Sequence, residues 1–507
     1  MNNQHKLICC LIGFLLFIGS CRKETIEQIE DAPVLSGLES NYYLLIRESL
    51  VIKPVIENRV DSIEWLLDGN KVATGLQYTF YASDNAGNHS LILIAHNRGN
   101  IVQAVANITV GRYQHVATIT NTIVKVEAAR KFENLVDLKW QVLDPPSELF
   151  RLSDTKTSSA LFASVAAGTY QVKVSSGSLA DTILITVRQP DKPYSAYIAK
   201  IFDYLPAPGQ FVNELPRFNT GDTYQTMLAK VSNDIVGEQT NMITLGGWGG
   251  YVVVGFDHTI VNVAGRRDFR IEGNAFGAAS NPRPNAPFGG SCEPGIVMVA
   301  YDKNKNGKPD EDEWYEIKGS ASYTAEQEPW YNLAVTKGVD VRTFRGYEMT
   351  YHRPASEVAT GGPQNHIAIP DYIRWTDNQG QNGYKIKNTF HSQTYYPAWV
   401  TDDKITYKGI RLARNGVDES AGGSYYVLYG FRYGYVDNYP NAHDNSGIDI
   451  DWAIDRNGNK VILPGIDFVK VYNGIDQENG WLGEASTEIG RGEDLHVLGK
   501  KVDTINP

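Results

Sequence analysis

Asp302, Asn304, Asn306, Gly307, Asp310 and Glu313 stand at positions 1, 3, 5, 6, 9 and 12 of the twelve-residue stretch DKNKNGKPDEDE. This is the spacing of a calcium-binding loop, in which alternate side chains turn oxygens inward toward a hard cation and a late carboxylate closes the sphere. Lys308 at position 7 offers its backbone carbonyl, and Gly307 permits the sharp turn. The acids crowd after Pro309, so Asp312 or Glu316 could take the place of Glu313 as the last ligand. The loop carries enough oxygens to fill a coordination sphere, and no general base stands beside it, so the expected ion is one structural Ca²⁺. The competing reading is a metal-free hairpin turn, because Asn, Gly and Asp also favour turns on their own.

The residues that must position this loop are strands. GIVMVAY before it is β-branched and apolar and WYEIK after it alternates, so the loop is expected to cap a hairpin rather than join the two helices of an EF-hand.

Two aromatic sets could bind a ligand. In SYYVLYGFRYGYVDNYP, Tyr429, Phe431, Tyr433 and Tyr435 share parity and would share one face of a strand, with Tyr439 in the loop beyond. Such a stripe is ordinarily sandwich core, but tyrosines at a strand end also suit stacking on a sugar ring or a flat macrocycle. Irregular Gly- and Pro-rich segments add Trp330, Tyr331, Tyr395, Tyr396 and Trp399, since loops on a rigid sheet are where binding groups sit. The candidate contacts are therefore Trp330, Tyr331, Tyr395, Tyr396, Trp399, Tyr433, Tyr435 and Tyr439. The acids Asp437, Asp444, Asp449, Asp451 and Asp455 match no metal-loop template, and solvated turns explain them equally well. The chain has no GxSxG elbow, HExxH pair or phosphate-cradling loop, so the reading is non-enzymatic. A glycoside-hydrolase carboxylate pair among the 58 acids is the rival, because its geometry does not show in sequence.

The 507 residues exceed one core, and 42% hydrophobic with 21% charged residues is a globular composition. A net charge of -11 argues against nucleic acid. Residues 1–20 combine a weakly basic start with an apolar run too short to span a bilayer, which makes them a signal segment. Ile18-Gly19-Ser20-Cys21 resembles a bacterial lipobox, which implies lipidation at Cys21. The polar stretch 21–30 then serves as a tether, and Lys23 and Glu24 resemble a signal for export to the outer face of the outer membrane. Once Cys9 and Cys10 leave with the signal and Cys21 carries lipid, only Cys292 remains, and no intramolecular disulfide can form. No His with an orienting Asp or Asn can be placed beside Cys292, so it is read as a small packing residue.

Short alternating strands, 47 glycines and 29 tyrosines indicate an all-β protein. Residues 31–110 and 111–190 each read as a small sandwich with one central tryptophan, Trp65 and Trp140, packed in its core. Both resemble the PKD-like immunoglobulin-type domains of surface proteins. A proline-rich boundary leads into residues 191–507, expected to form a large jelly-roll-like β-sandwich with almost no helix. Here LGGWGGYVVVGFDHTIVN, DFRIEGNAF, EPGIVMVAYDKNKNGKPDEDEWYEIKGS, HSQTYYPAW, GIDIDWAIDRNGNKV and IDFVKVYNGIDQENGWLGEASTEIG resemble a family of bacterial surface lipoproteins. In this chain the loop ending is one residue longer between Asp310 and Trp314 than is usual in that family. The resemblance implies a lipid-anchored outer-membrane protein that captures a corrinoid of the cobalamin (vitamin B12) type for a TonB-dependent transporter. Glycan binding or adhesion, using the same aromatics, and glycoside hydrolysis are the alternatives.

Overall fold

The computed structural model describes residues 31–505 apart from 47, 84, 112–113, 130–131, 133–134, 154–155, 279–284, 360 and 421. The signal segment, Cys21 and the tether lie outside the described residues. The chain is all-β, as expected, and divides into two compact units between Gln114 and His115. Among the described residues no helix is long and apolar enough to cross a membrane.

The first unit is a β-sandwich whose largest sheet has five strands, with the long hairpin of Gly87–Asn97 and Asn100–Gly111 at its centre. Trp65 is fully enclosed with Leu91, Leu93 and Ile108, and its indole N–H donates to the Gly75 carbonyl at 3.0 Å.

The second unit begins with another sandwich, of four and three strands. Trp140 repeats the role of Trp65: it lies in the core with Tyr170 and Val172 and donates to the Thr157 carbonyl at 3.0 Å. Tyr170 bonds back from its hydroxyl to the Ala166 carbonyl, pinning the corner of this sandwich. Contacts of three kinds join this sandwich to the C-terminal region. Asn121 and Thr259 exchange hydrogen bonds, Arg151 pairs with Asp451, and Ala163, Val261 and Val263 share an apolar cluster with Ile123, Leu149 and Val165. The second sandwich is thus fastened to the C-terminal region across a packed junction.

The C-terminal region is built on a seven-stranded sheet that includes Lys200–Ala207, Gly247–Val261, Gly465–Asn473, Gly295–Ala300, Trp314–Ile317 and Ala453–Ile454, paired in that order and all antiparallel. Val254, Val297, Val299, Val469 and Val471 fill a core on one side of it. Two four-stranded sheets cover other parts, including one of Phe344–His352, Ile367–Asp377, Asn382–Asn388 and Lys404–Arg411.

Helix is scarce but includes a twelve-residue element, Tyr224–Ile235, that the strand reading passed over. Met227, Val231 and Ile235 recur at four-residue spacing and are all buried, and Thr223 caps the first turn together with Thr226.

Candidate functional site

The acidic loop caps a hairpin, as its flanks require: Met298, Val299 and Ala300 pair with Glu316, Tyr315 and Trp314. Within the loop, Asp302 Oδ1 and Oδ2 accept from the backbone N–H groups of Asn306 and Gly307, at 3.0 and 2.7 Å. Gly307 has φ +72°, the left-handed turn that favours glycine at this position. Asn304 and Asn306 each donate an amide N–H to Asp310 Oδ2 at 2.7 Å, while their Oδ1 atoms accept from the backbone of Asn306 and Lys308. Glu313 is 1% exposed, and its carboxylate accepts from the N–H groups of Lys303 and Asp310. Asp312 is exposed, and Glu316 is taken by Arg345 at 2.7 and 3.1 Å, which leaves Glu313 as the acid that turns into the loop. The side chains of Asp302, Asn304, Asn306, Asp310 and Glu313 are therefore already gathered over one short loop. The carboxylate and amide oxygens of these residues are the donors a hard divalent cation takes, and here the amide nitrogens of Asn304 and Asn306 face Asp310 in its place.

The aromatic candidates fall elsewhere. Trp330, Tyr395, Tyr396 and Tyr435 are at most 1% exposed, and Tyr433 is 6% exposed. Trp330 donates to the Gly430 carbonyl, Tyr395 to Asn388, and Tyr396 to the Asp402 carbonyl, while the Tyr435 hydroxyl accepts from Ala321 N–H. Tyr331 opens a short helix against the core, Trp399 stacks on Tyr204 and Phe218, and Tyr439 stacks on Phe288 and His443. The expected one-faced stripe does not form. The strand Tyr426–Tyr429 ends before Gly430, and pairing resumes only at Tyr435–Val436, so Tyr429, Phe431 and Tyr435 enter one core and Tyr433 another. Both sides of this segment are covered by protein, which is why its rings are packing residues.

A groove that sequence reading did not find lies along the open face of the seven-stranded sheet, beside the acidic loop. Register places Asp203, Val253, Lys470, Met298, Glu316 and Ile454 in one cross-strand row. Two cavities of about 780 and 790 Å³ flank this row and share Tyr251, Trp314 and Lys470. The first continues to Arg345, Tyr407 and Arg456, and the second runs beneath Lys308, Pro309, Asp310 and Glu311 of the loop. A third, of about 420 Å³, carries the groove past Phe202 to the other flank of the loop and to Asn121 and Thr122 of the preceding sandwich. Each is of the size that takes a small molecule. None of the eight aromatic candidates lines any of the three.

Part of the charge in the groove is committed. Tyr251 and Tyr224 donate to the two oxygens of Asp203, both at 2.7 Å, and burial together with this carboxylate pushes both phenols far above their usual range. Lys408 pairs with Glu348 at 2.7 Å.

The acids after Asp437 are dispersed: Asp449 caps a short 3-10 turn, Asp451 holds Arg151, and Asp455 closes its own turn. Asp437 instead meets Glu293 and Glu488 in a buried triad whose carboxylate oxygens lie within 4.8 Å of one another. Backbone N–H groups of Asn274, Ala275 and Glu488 donate to Asp437, Ser486 N–H to Glu293, and Thr244 and Ser486 hydroxyls to Glu488. Burial raises all three, Glu293 to about 8 and Asp437 to about 7. Cys292 is fully enclosed, and burial pushes its thiol far up, so it stays a protonated packing residue.

No protein-family model matches the chain, and no curated protein matches it. Among solved structures it is similar to fibronectin(III)-like modules of Clostridium thermocellum CbhA, at 21% identity over 15% of this chain and 94% of that one, TM-score 0.14. A chimeric titin Z1Z2 is similar at 18% identity over 32% of this chain and 99% of that one, TM-score 0.16. Tandem Ig repeats of Dlar are similar at 14% identity over 31% and 99%, TM-score 0.14.

Proposed function

We propose that this chain is a lipid-anchored surface protein, attached through Cys21 to the outer membrane, whose C-terminal region captures a small molecule in the groove over Tyr251, Trp314 and Lys470. The observation that carries the reading is this groove: a rigid sheet face, walled by aromatic and cationic side chains, with space on both sides of Trp314. The calcium loop supplies one wall, and an ion held by Asp302, Asn304, Asn306, Asp310, Glu313 and the Lys308 carbonyl would fix that wall. It supplies no chemistry to the ligand. The first ligand to test is a cobalamin-type corrinoid destined for a TonB-dependent transporter, a choice that rests on the family resemblance of the sequence.

A glycan is the second reading, favoured by a different surface. Phe390, 56% exposed, stacks on His366 at 5.2 Å and meets Trp481 at 6.1 Å, an aromatic platform open to solvent. Calorimetric titration of calcium-loaded chain lacking residues 1–21 with cyanocobalamin, then with a glycan panel, separates the two. Saturable heat with cyanocobalamin supports the corrinoid reading. No heat from correctly folded protein ends it.

A further inference from the structure

The cross-strand row in the groove contains two carboxylates and one ammonium, and they do not pair with each other. Both oxygens of Asp203 are occupied by the hydroxyls of Tyr251 and Tyr224, and both oxygens of Glu316 by the guanidinium of Arg345. Lys470 stands between them, opposite Val253 on one side and Met298 on the other. Its Nζ lies 4.1 Å from the centre of the Tyr251 ring and has no hydrogen-bond acceptor or ion-pair partner among the described residues. Burial lowers its proton affinity, with Asp203 offsetting part of the loss. A half-buried ammonium set over an aromatic face, with no hydrogen-bond acceptor among the described residues, is short of the oxygen acceptors it would have in water. It lines both of the larger cavities, so anything that fills either meets it.

We propose that Lys470 anchors an anionic group, a carboxylate or a phosphate ester, on the molecule that the groove captures. The ammonium sits over the Tyr251 ring without a hydrogen-bond acceptor among the described residues, so an oxyanion arriving from the groove gains a charge-assisted hydrogen bond. Arg345 and Lys408 line the same groove, but Glu316 and Glu348 already hold them. Arg456 lines only the first of the two larger cavities and Lys200 and Lys308 only the second, so Lys470 is the cation common to both. The proposal builds on the groove as the capture site, but not on the ligand being a corrinoid.

The test uses the chain lacking residues 1–21 and inorganic phosphate as probe, with the lysine side-chain NMR signals followed and Lys470 assigned by its loss in Lys470→Met. Phosphate should shift the Lys470 signal saturably while leaving Lys408 and other exposed lysines on a common, non-saturating line. A non-saturating shift at Lys470 would overturn the proposal. Cyanocobalamin, which carries a phosphate diester, gives the second arm: Lys470→Met should weaken its binding at least tenfold while Lys408→Met leaves it within twofold. Saturation by phosphate without cyanocobalamin binding keeps the anion site and removes the corrinoid. Cyanocobalamin binding that Lys470→Met leaves intact removes the anchor and keeps the corrinoid.

Discussion

Glu316 grips Arg345 through both carboxylate oxygens, at 2.7 and 3.1 Å, and this pair sorts the acids that crowd the end of the loop. Glu316 belongs to the groove and Glu313 to the acidic loop. Because a ligand that binds only the folded state stabilises it by mass action, calcium added after chelation should raise the melting temperature, by about 2 to 5 °C at a hundredfold excess over Kd. Asp302→Ala and Glu313→Gln should abolish the shift, and Glu316→Gln should retain it. Equal shifts in all four proteins, read by differential scanning calorimetry, would count against the loop.

The loop was legible because its information is local: twelve consecutive residues carry the donors, and the flanking patterns name the strands. The groove was not, because its row draws residues 203, 253, 298, 316 and 470 together through long-range registers that no spacing reveals. Aromatic density pointed to Trp330, Tyr395 and Tyr435, but density does not tell whether both faces of a segment are covered, and here they are. The helix Tyr224–Ile235 did leave a signal, Met227, Val231 and Ile235, within a chain otherwise rich in strand patterns.

Lowering the pH from 8.5 to 6 should stabilise the fold. No Lys or Arg pairs with Glu293, Asp437 or Glu488 among the described residues, and burial raises all three above their unfolded values of about 4. Between about pH 4 and pH 8 the folded chain thus holds more protons here than the unfolded chain, so this contribution declines as pH rises through that window. His258 and His496 act in the same direction: desolvation lowers them, but hydrogen bonds to Asp494 and Asp268 prevail and raise both above their ordinary values, so their stabilisation is also lost with rising pH. The melting temperature should be lower at pH 8.5 than at pH 6, and Glu293→Gln should flatten the trend. A melting temperature that rises toward pH 8.5 would contradict it.

The junction between the second sandwich and the C-terminal region should be cooperative. Arg151→Met leaves Asp451 without its ion-pair partner in a largely buried site and should cost about 2 kcal/mol, lowering the urea midpoint of the second unit. A chain starting at residue 191 should be less stable than one starting at 115, because it exposes Val261 and Val263. Equal midpoints for the two truncations would show that the junction contributes nothing.

The central claim is that ligand enters beside Trp314 and not on the exposed platform of Phe390. The most direct measurement is the affinity for cyanocobalamin of wild type, Trp314→Ala and Phe390→Ala, titrated calorimetrically with calcium present. The account predicts at least tenfold weaker binding for Trp314→Ala, with wild-type melting temperature, and unchanged binding for Phe390→Ala. Full affinity in Trp314→Ala, or loss confined to Phe390→Ala, would contradict it.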